Sequence, residues 1–300
     1  MAGTASAVAP ESYISKIWPQ GIFENRVVFC TGGSGDICSS QVRALVYLGA
    51  NACIVGRNEG KAERVAASIA KARPDAKVLG IGNIDVRKVE SLEAAVSKCV
   101  STLGGIDFVI AGAAGNFLVP LINLSTNAFK SVIDIDLMGS WNTAKAVMPY
   151  LLNSAAKYPG AGGRILFISA TLHYTGGPLN THGVVAKAGV DALSAQLAIE
   201  LGPRGITSNV IAPGVVDGTE GERRLFQDAR GEMMGKVPTG RLGTVKDVNN
   251  ATVYLLSETG DFVNGSVQVV DGAAWRIGAQ VGAGAEYPAS VLVERKATKL

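Results

Sequence analysis

Short apolar runs alternate along the chain with longer stretches in which apolar residues return every three or four positions. The runs at 27–30, 52–55, 78–81, 108–111, 165–168, 208–211 and 267–270 predict short buried strands. Between them, 37–48, 61–72, 89–103, 125–152, 183–201 and 245–256 carry the period of amphipathic helices. Strand–helix alternation repeated this often predicts an α/β fold, a seven-stranded parallel sheet wound on both faces with helices. Right-handed crossovers then bring the carboxyl ends of the strands to one edge, where such sheets bind ligands. No linker splits the chain. We expect an N-terminal arm at 1–25, a single domain at 26–272 and a C-terminal tail at 273–300 that packs against a partner subunit. Residues 214–243 carry Gly, Arg, Met and Pro without a clean period, and are read as a substrate lid.

Composition narrows the picture. Of 300 residues, 47% are hydrophobic and 18% charged, which suits a packed core and excludes disorder. A net charge of +3 is too small to imply a nucleic-acid partner. No apolar stretch reaches the length of a membrane span. Cys30, Cys38, Cys53 and Cys99 lack metal-ligand spacing, and with two histidines in the chain no metal site is expected. Cys30 and Cys53 sit in apolar runs and read as buried free thiols, which favours a reducing compartment.

The first strand runs into Thr31-Gly32-Gly33-Ser34-Gly35-Asp36-Ile37-Cys38, followed by a helix. A glycine-rich turn lets the backbone approach a pyrophosphate, and the helix N-terminus offers N–H donors and a favourable dipole. The second strand ends Val55-Gly56-Arg57-Asn58. An acidic residue there would bind both hydroxyls of an NAD ribose. Arg57 instead offers a fork for the 2′-phosphate of NADP, and Lys61 adds charge nearby. Asp85 and Val86 follow the third strand at the adenine edge. Ala111-Gly112-Ala113-Ala114-Gly115 closes the fourth with side chains small enough for a cofactor to lie against the backbone. The reading is an NADPH site on a Rossmann-type sheet.

With Thr31-Gly32 opening the nucleotide turn and Pro213-Gly214 after the sixth strand, the sequence resembles the short-chain dehydrogenases/reductases over roughly residues 25–272. Within that family it is most similar to the peroxisomal 2,4-dienoyl-CoA reductase branch. The runs that carry this are Ala113-Ala114-Gly115-Asn116-Phe117, Asn127-Ala128-Phe129-Lys130, Asp134-Ile135-Asp136 and Gly218-Thr219-Glu220-Gly221. The glycine turn departs from the family form T-G-x-x-x-G-x-G, because its second and third glycines fall on Asp36 and Cys38. A carboxylate beside a pyrophosphate weakens binding unless it points away or caps the helix.

Most of the family uses Tyr-x-x-x-Lys on one helix, with a serine upstream; this spacing puts both side chains on one face. Lys187 fits the lysine, but the tyrosine position is Gly183 and the serine falls at or near Ala170, beside Ser169 and Thr171. The ordinary proton relay for ketones is absent. What remains is Asp136, mid-helix where the family usually has Asn; such a carboxylate among apolar neighbours must be paired or protonated. The resemblance implies that Asp136 and Lys187 act together, with Asp134 facing solvent. It implies reduction of 2,4-dienoyl-CoA to trans-3-enoyl-CoA, with Lys187 holding the nicotinamide ribose and Asp136 supplying a proton through water. Asn116 and Phe117 would contact the acyl thioester, Phe117 being equally readable as core packing. His173 and Tyr174 follow the fifth strand at the substrate edge, and His182 reads as a helix-start residue. Arg224, with Arg223 and Arg230, would meet CoA phosphates. Other readings are a reductase of biosynthetic polyenes and a non-catalytic NADPH-binding protein. The resemblance implies a homodimer or homotetramer. The final Thr298, Lys299 and Leu300 resemble a peroxisomal address read by an import receptor, the alternative location being cytoplasmic.

Overall fold

A computed structural model of the chain describes residues 8–226, 234 and 237–277. Arg230, most of the expected tail and the Thr298, Lys299 and Leu300 terminus lie outside the described residues.

Seven parallel strands form one sheet: β1 (Val27–Thr31), β2 (Asn51–Val55), β3 (Val78–Ile81), β4 (Phe108–Ala111), β5 (Arg164–Ile168), β6 (Thr207–Pro213) and β7 (Val267–Val270). Their order is β3-β2-β1-β4-β5-β6-β7. The order reverses between β1 and β4, and that switch point opens a crevice at the carboxyl ends of the strands. The strand interiors are apolar on both faces because both are covered. Val28 and Cys30 of β1 join one core with Val42 and Leu45 of α1 (Asp36–Tyr47). Val27 and Phe29 join the other, with Leu92 of α3 (Val89–Leu103).

The remaining helices are α2 (Glu59–Ala70), α4 (Thr126–Val132), α5 (Gly139–Lys157), α6 (Leu172–Thr175), α7 (Thr181–Leu201), α8 (Glu220–Phe226), α9 (Val245–Leu256) and α10 (Ala274–Ile277). Local chemistry sets several of their ends. Asn58 caps α2 by accepting from the Lys61 N–H at 2.8 Å, and Thr244 and Asp247 form a reciprocal capping box on α9. α3 stops at Gly104, whose φ of +91° suits glycine.

One expectation is refined. The helix expected at 125–152 is unbroken but not α-helical throughout: a π-helical turn, Ile133–Met138, joins α4 to α5, and α5 runs on to Lys157. A wide turn of this kind re-aims one side chain within a helix, and Asp136 stands in it. The segment after β5 contains the short helix α6. Within 214–243, α8 forms and the two ends meet in a parallel bridge between Val216 and Gly243. The arm belongs to the first core. Tyr13, Ile14 and Phe23 are buried there, and Asn249 and Asn250 of α9 bond to Tyr13, Ser15 and Trp18. No helix among the described residues is long and apolar enough to cross a membrane.

Candidate active site

A cavity of about 610 Å³ lies along the carboxyl ends of the strands. On its nucleotide side, Gly32 has a φ of +67°, and a Cβ there would stand 2.6 Å from the Gly112 carbonyl oxygen; one on Gly33 would meet Ile54 at 2.6 Å. The chain packs this closely here only as glycine. The first turn of α1, with Asp36, Ile37 and Cys38 in the wall, presents N–H groups that have no partner within the helix. Cys38 is tolerated at a family glycine position because Gly112 faces it: any Cβ on Gly112 would strike the Cys38 sulfur. Asp36 points across the crevice, where Oδ2 accepts the Glu220 N–H of α8 at 2.6 Å and lies 3.8 Å from Arg223 Nη2.

The other nucleotide-side residues divide. Gly32, Ser34, Gly35, Asp36, Ile37, Arg57, Lys61, Asp85, Val86, Ala113, Pro213 and Gly214 line the cavity; Thr31 and Gly33 lie behind it. Thr31 is the buried last residue of β1, its carbonyl accepting the Gly112 N–H. Arg57 and Lys61 sit exposed at the rim, and neither side chain has a protein partner among the described residues. The Arg87 guanidinium grips Asp85 on both oxygens and holds its carboxyl below the usual range.

On the other side of the cavity, Asp136 and Lys187 meet. Asp136 Oδ2 is 3.1 Å from Lys187 Nζ, with side chains 3% and 13% exposed. Asp136 Oδ1 accepts the Gly115 N–H at 2.7 Å, so each oxygen faces a donor. Lys187 Nζ also donates to the Ile168 carbonyl at 3.0 Å. An ammonium has three N–H bonds; two are engaged, and the third remains for the cavity that Lys187 lines. Asp134 is half-buried and pairs with Lys130 rather than with the site. Gly183 lines the cavity, and the room a side chain would need is filled by the buried Asn180 carboxamide.

Asn116 lines the cavity; its Oδ1 accepts the Phe117 N–H at 2.8 Å. Phe117 lies outside the lining and stacks on His182 at 4.2 Å, while His182 Nε2 contacts the Phe117 carbonyl. His173 and Tyr174 are also outside the lining, turned on to Asp191 of α7. Arg224 lines the cavity with its guanidinium 3.4 Å from Glu220. No cluster of His, Cys, Asp or Glu fit to hold a metal exists among the described residues.

A family profile described as enoyl-(acyl carrier protein) reductase matches residues 35–273. The chain belongs to the short-chain dehydrogenase/reductase family. This family of oxidoreductases works with nicotinamide cofactors, and the crevice has the glycine-lined shape such a cofactor needs. This short-chain dehydrogenase/reductase is 49% identical over 267 residues to a peroxisomal 2,4-dienoyl-CoA reductase, (3E)-enoyl-CoA-producing, of Saccharomyces cerevisiae, covering 88% of this chain and 89% of that one. It is 38% identical to the protein of the same description in Danio rerio, covering 86% and 84%. Among solved structures, a short chain dehydrogenase of Bacillus anthracis superposes with a TM-score of 0.75 at 32% identity, over 84% of this chain and 97% of that one.

Sequence reasoning missed Asn180 and Asp191. Asn180 gave no signal, since a polar residue before a helix reads as a cap; it makes no side-chain cap bond here. Asp191 carries a faint one, its position one turn after Lys187 on the same helix.

Proposed function

We propose that this protein is an NADPH-dependent 2,4-dienoyl-CoA reductase that produces trans-3-enoyl-CoA in peroxisomes. The observation that carries the reading is the buried Asp136–Lys187 pair facing a cavity in which Gly183 supplies no phenol. A ketone reductase must protonate an alkoxide. A conjugated dienoyl thioester instead accepts a hydride at its far carbon, places the charge on the thioester oxygen and takes a proton at its α carbon, so no phenol is needed.

Bound NADPH supplies the hydride. Arg57 and Lys61, unpaired at the rim, suit its 2′-phosphate, and the Gly32–Gly112 approach suits its pyrophosphate. Lys187 offers its remaining N–H to the nicotinamide ribose and keeps positive potential near the developing oxyanion. Asn116, its Oδ1 already engaged, has its amide N–H groups left to donate to the thioester oxygen. Asp136 orders the water that protonates the α carbon, and Arg224 meets CoA phosphate from α8. The peroxisomal names of the relatives and the terminal Thr298, Lys299 and Leu300 support the location. Assembly as a homodimer or homotetramer is part of the proposal.

The test is NADPH oxidation with 2,4-hexadienoyl-CoA beside the free acid and a simple ketone. Turnover of the thioester alone is expected; no turnover of any dienoyl thioester overturns the reading. Arg57→Ala should cut NADPH preference over NADH by about 10–100-fold. Removing Thr298, Lys299 and Leu300 should leave the protein in the cytosol.

A further inference from the structure

The wall of the cavity after β5 is made by Ser169, Ala170, Thr171, Leu172 and Thr175. Its first part is anchored to the sheet: the Ser169 N–H donates to the Ile211 carbonyl at 2.8 Å and the Thr171 N–H to Pro213 at 3.3 Å. Beyond Thr171 the chain leaves the sheet as the four-residue helix α6, which ends at Gly176 with a φ of +71°. So short a helix does not hold itself in place.

Asp191 holds it. His173 Nε2 lies 2.8 Å from Asp191 Oδ2, and the Tyr174 hydroxyl donates to the same oxygen. His173 Nδ1 folds back on the Ala170 carbonyl at 2.7 Å. The His173 and Tyr174 rings pack at 3.8 Å, and Tyr174 rests on Trp275 of α10 at 5.4 Å. Asp191 and His173 are 12% and 7% exposed. Burial works to raise the Asp191 carboxyl, but His173, Tyr174 and the nearby Ser169 hydroxyl outweigh it and hold the group below the usual range. Burial first, and the carboxylate second, push the Tyr174 phenol up. Asp191 Oδ1 is buried without a hydrogen-bond partner among the described residues.

We infer that Asp191 is a positioning residue for the acyl-thioester side of the site: through His173 and Tyr174 it clamps α6, and with it the wall formed by Leu172 and Thr175, on to the helix that carries Lys187. The Ser169 hydroxyl ties the start of this wall to the Lys187 carbonyl at 3.5 Å, and the carboxylate one turn beyond Lys187 extends that link to α6. The inference rests on the function proposed above for its substrate, though not for the clamp itself.

The experiment compares wild type, Asp191→Ala, Asp191→Asn and Tyr174→Phe. It measures steady-state constants for 2,4-hexadienoyl-CoA, NADPH affinity by fluorescence without acyl-CoA, and deuterium exchange of the peptide at 169–176. Asp191→Ala should raise the acyl-CoA KM about tenfold, change kcat by less than about threefold and leave NADPH affinity unchanged, with faster exchange at 169–176. Asp191→Asn keeps an acceptor for His173 and Tyr174 and should return KM to within about threefold of wild type. Tyr174→Phe removes one link and should raise KM by about threefold, which keeps the inference testable if the alanine variant does not fold. Unchanged KM and exchange in the alanine and phenylalanine variants overturn it. So does an equal loss of NADPH and acyl-CoA affinity, the mark of general loosening. Wild-type protein inert on dienoyl thioesters would sink the function instead, and the exchange measurement would still judge the clamp.

Discussion

Two carboxylates meet α7 one turn apart, and they are built differently. Asp136 arrives from a π-helical turn on another segment, faces the cavity and has both oxygens engaged, one by the Gly115 N–H and one by Lys187. Asp191 belongs to α7 itself, lies behind the cavity wall and gathers His173 and Tyr174 on a single oxygen. The first pair keeps a free ammonium N–H for the cavity in which we propose the chemistry occurs. The second leaves a carboxylate oxygen without a partner among the described residues. On that proposal the first arrangement presents a donor and the second fixes a shape.

That contrast predicts a split between kcat and KM. The largest effect should come from Lys187→Ala, which leaves Asp136 buried without its cation: kcat should fall by about a thousandfold or more in the NADPH-oxidation assay, and stability should drop as well. A loss below tenfold would erase the distinction between the two pairs. Asp136→Asn retains an acceptor for the Gly115 N–H, so the fold should hold while kcat falls about a hundredfold with little change in KM. Gly183→Ala sets a Cβ against the Asn180 carboxamide and should destabilise by about 1–3 kcal/mol in thermal unfolding; the double change with Asn180→Ala should recover much of it. The smallest effect belongs to Asp247, far from both pairs in the α9 capping box. Arg241 first, with help from the Thr244 hydroxyl and N–H, holds its carboxyl down at about 2, from an ordinary 3.8. Its folded pKa lies below its unfolded one, so its contribution is complete above about pH 4 and is lost as pH falls towards 2. Asp247→Asn should therefore lower Tm slightly at pH 7, by no more than about 1 kcal/mol of stability, and the gap should close towards pH 2.

The architecture was legible because both faces of the sheet are covered: strands such as 108–111 are continuous apolar runs, and the covering helices keep their period. Lys187 and the loss at Gly183 were legible against the Tyr-x-x-x-Lys spacing that the family resemblance supplied. The meeting of Asp136 with Lys187 was implied by resemblance only; the π-turn that aims the carboxylate has no periodic signature, since one wide turn barely shifts the apolar pattern. Asp191 was hidden for another reason. On a helix a carboxylate one turn from a lysine reads as a surface pair, and its real partners, His173 and Tyr174, come from a different element. The exchange of bulk between Cys38 and Gly112 was equally out of reach, being a compensation between the first turn of α1 and the end of β4.

The arm at the start of the chain alters what counts as the unit that folds. The family profile begins at residue 35, after β1, yet Tyr13, Ile14 and Phe23 are each 2% exposed within the first core, and α9 bonds to the arm through Asn249 and Asn250. Burial of three such side chains is worth about 2 kcal/mol each, comparable with the whole margin by which a domain stays folded. The span that the family profile matches is therefore shorter than the unit that folds. A protein trimmed to the profile would lose Gly32 and Ser34 from the crevice wall and, with β1 and the arm, the ground on which the crevice stands.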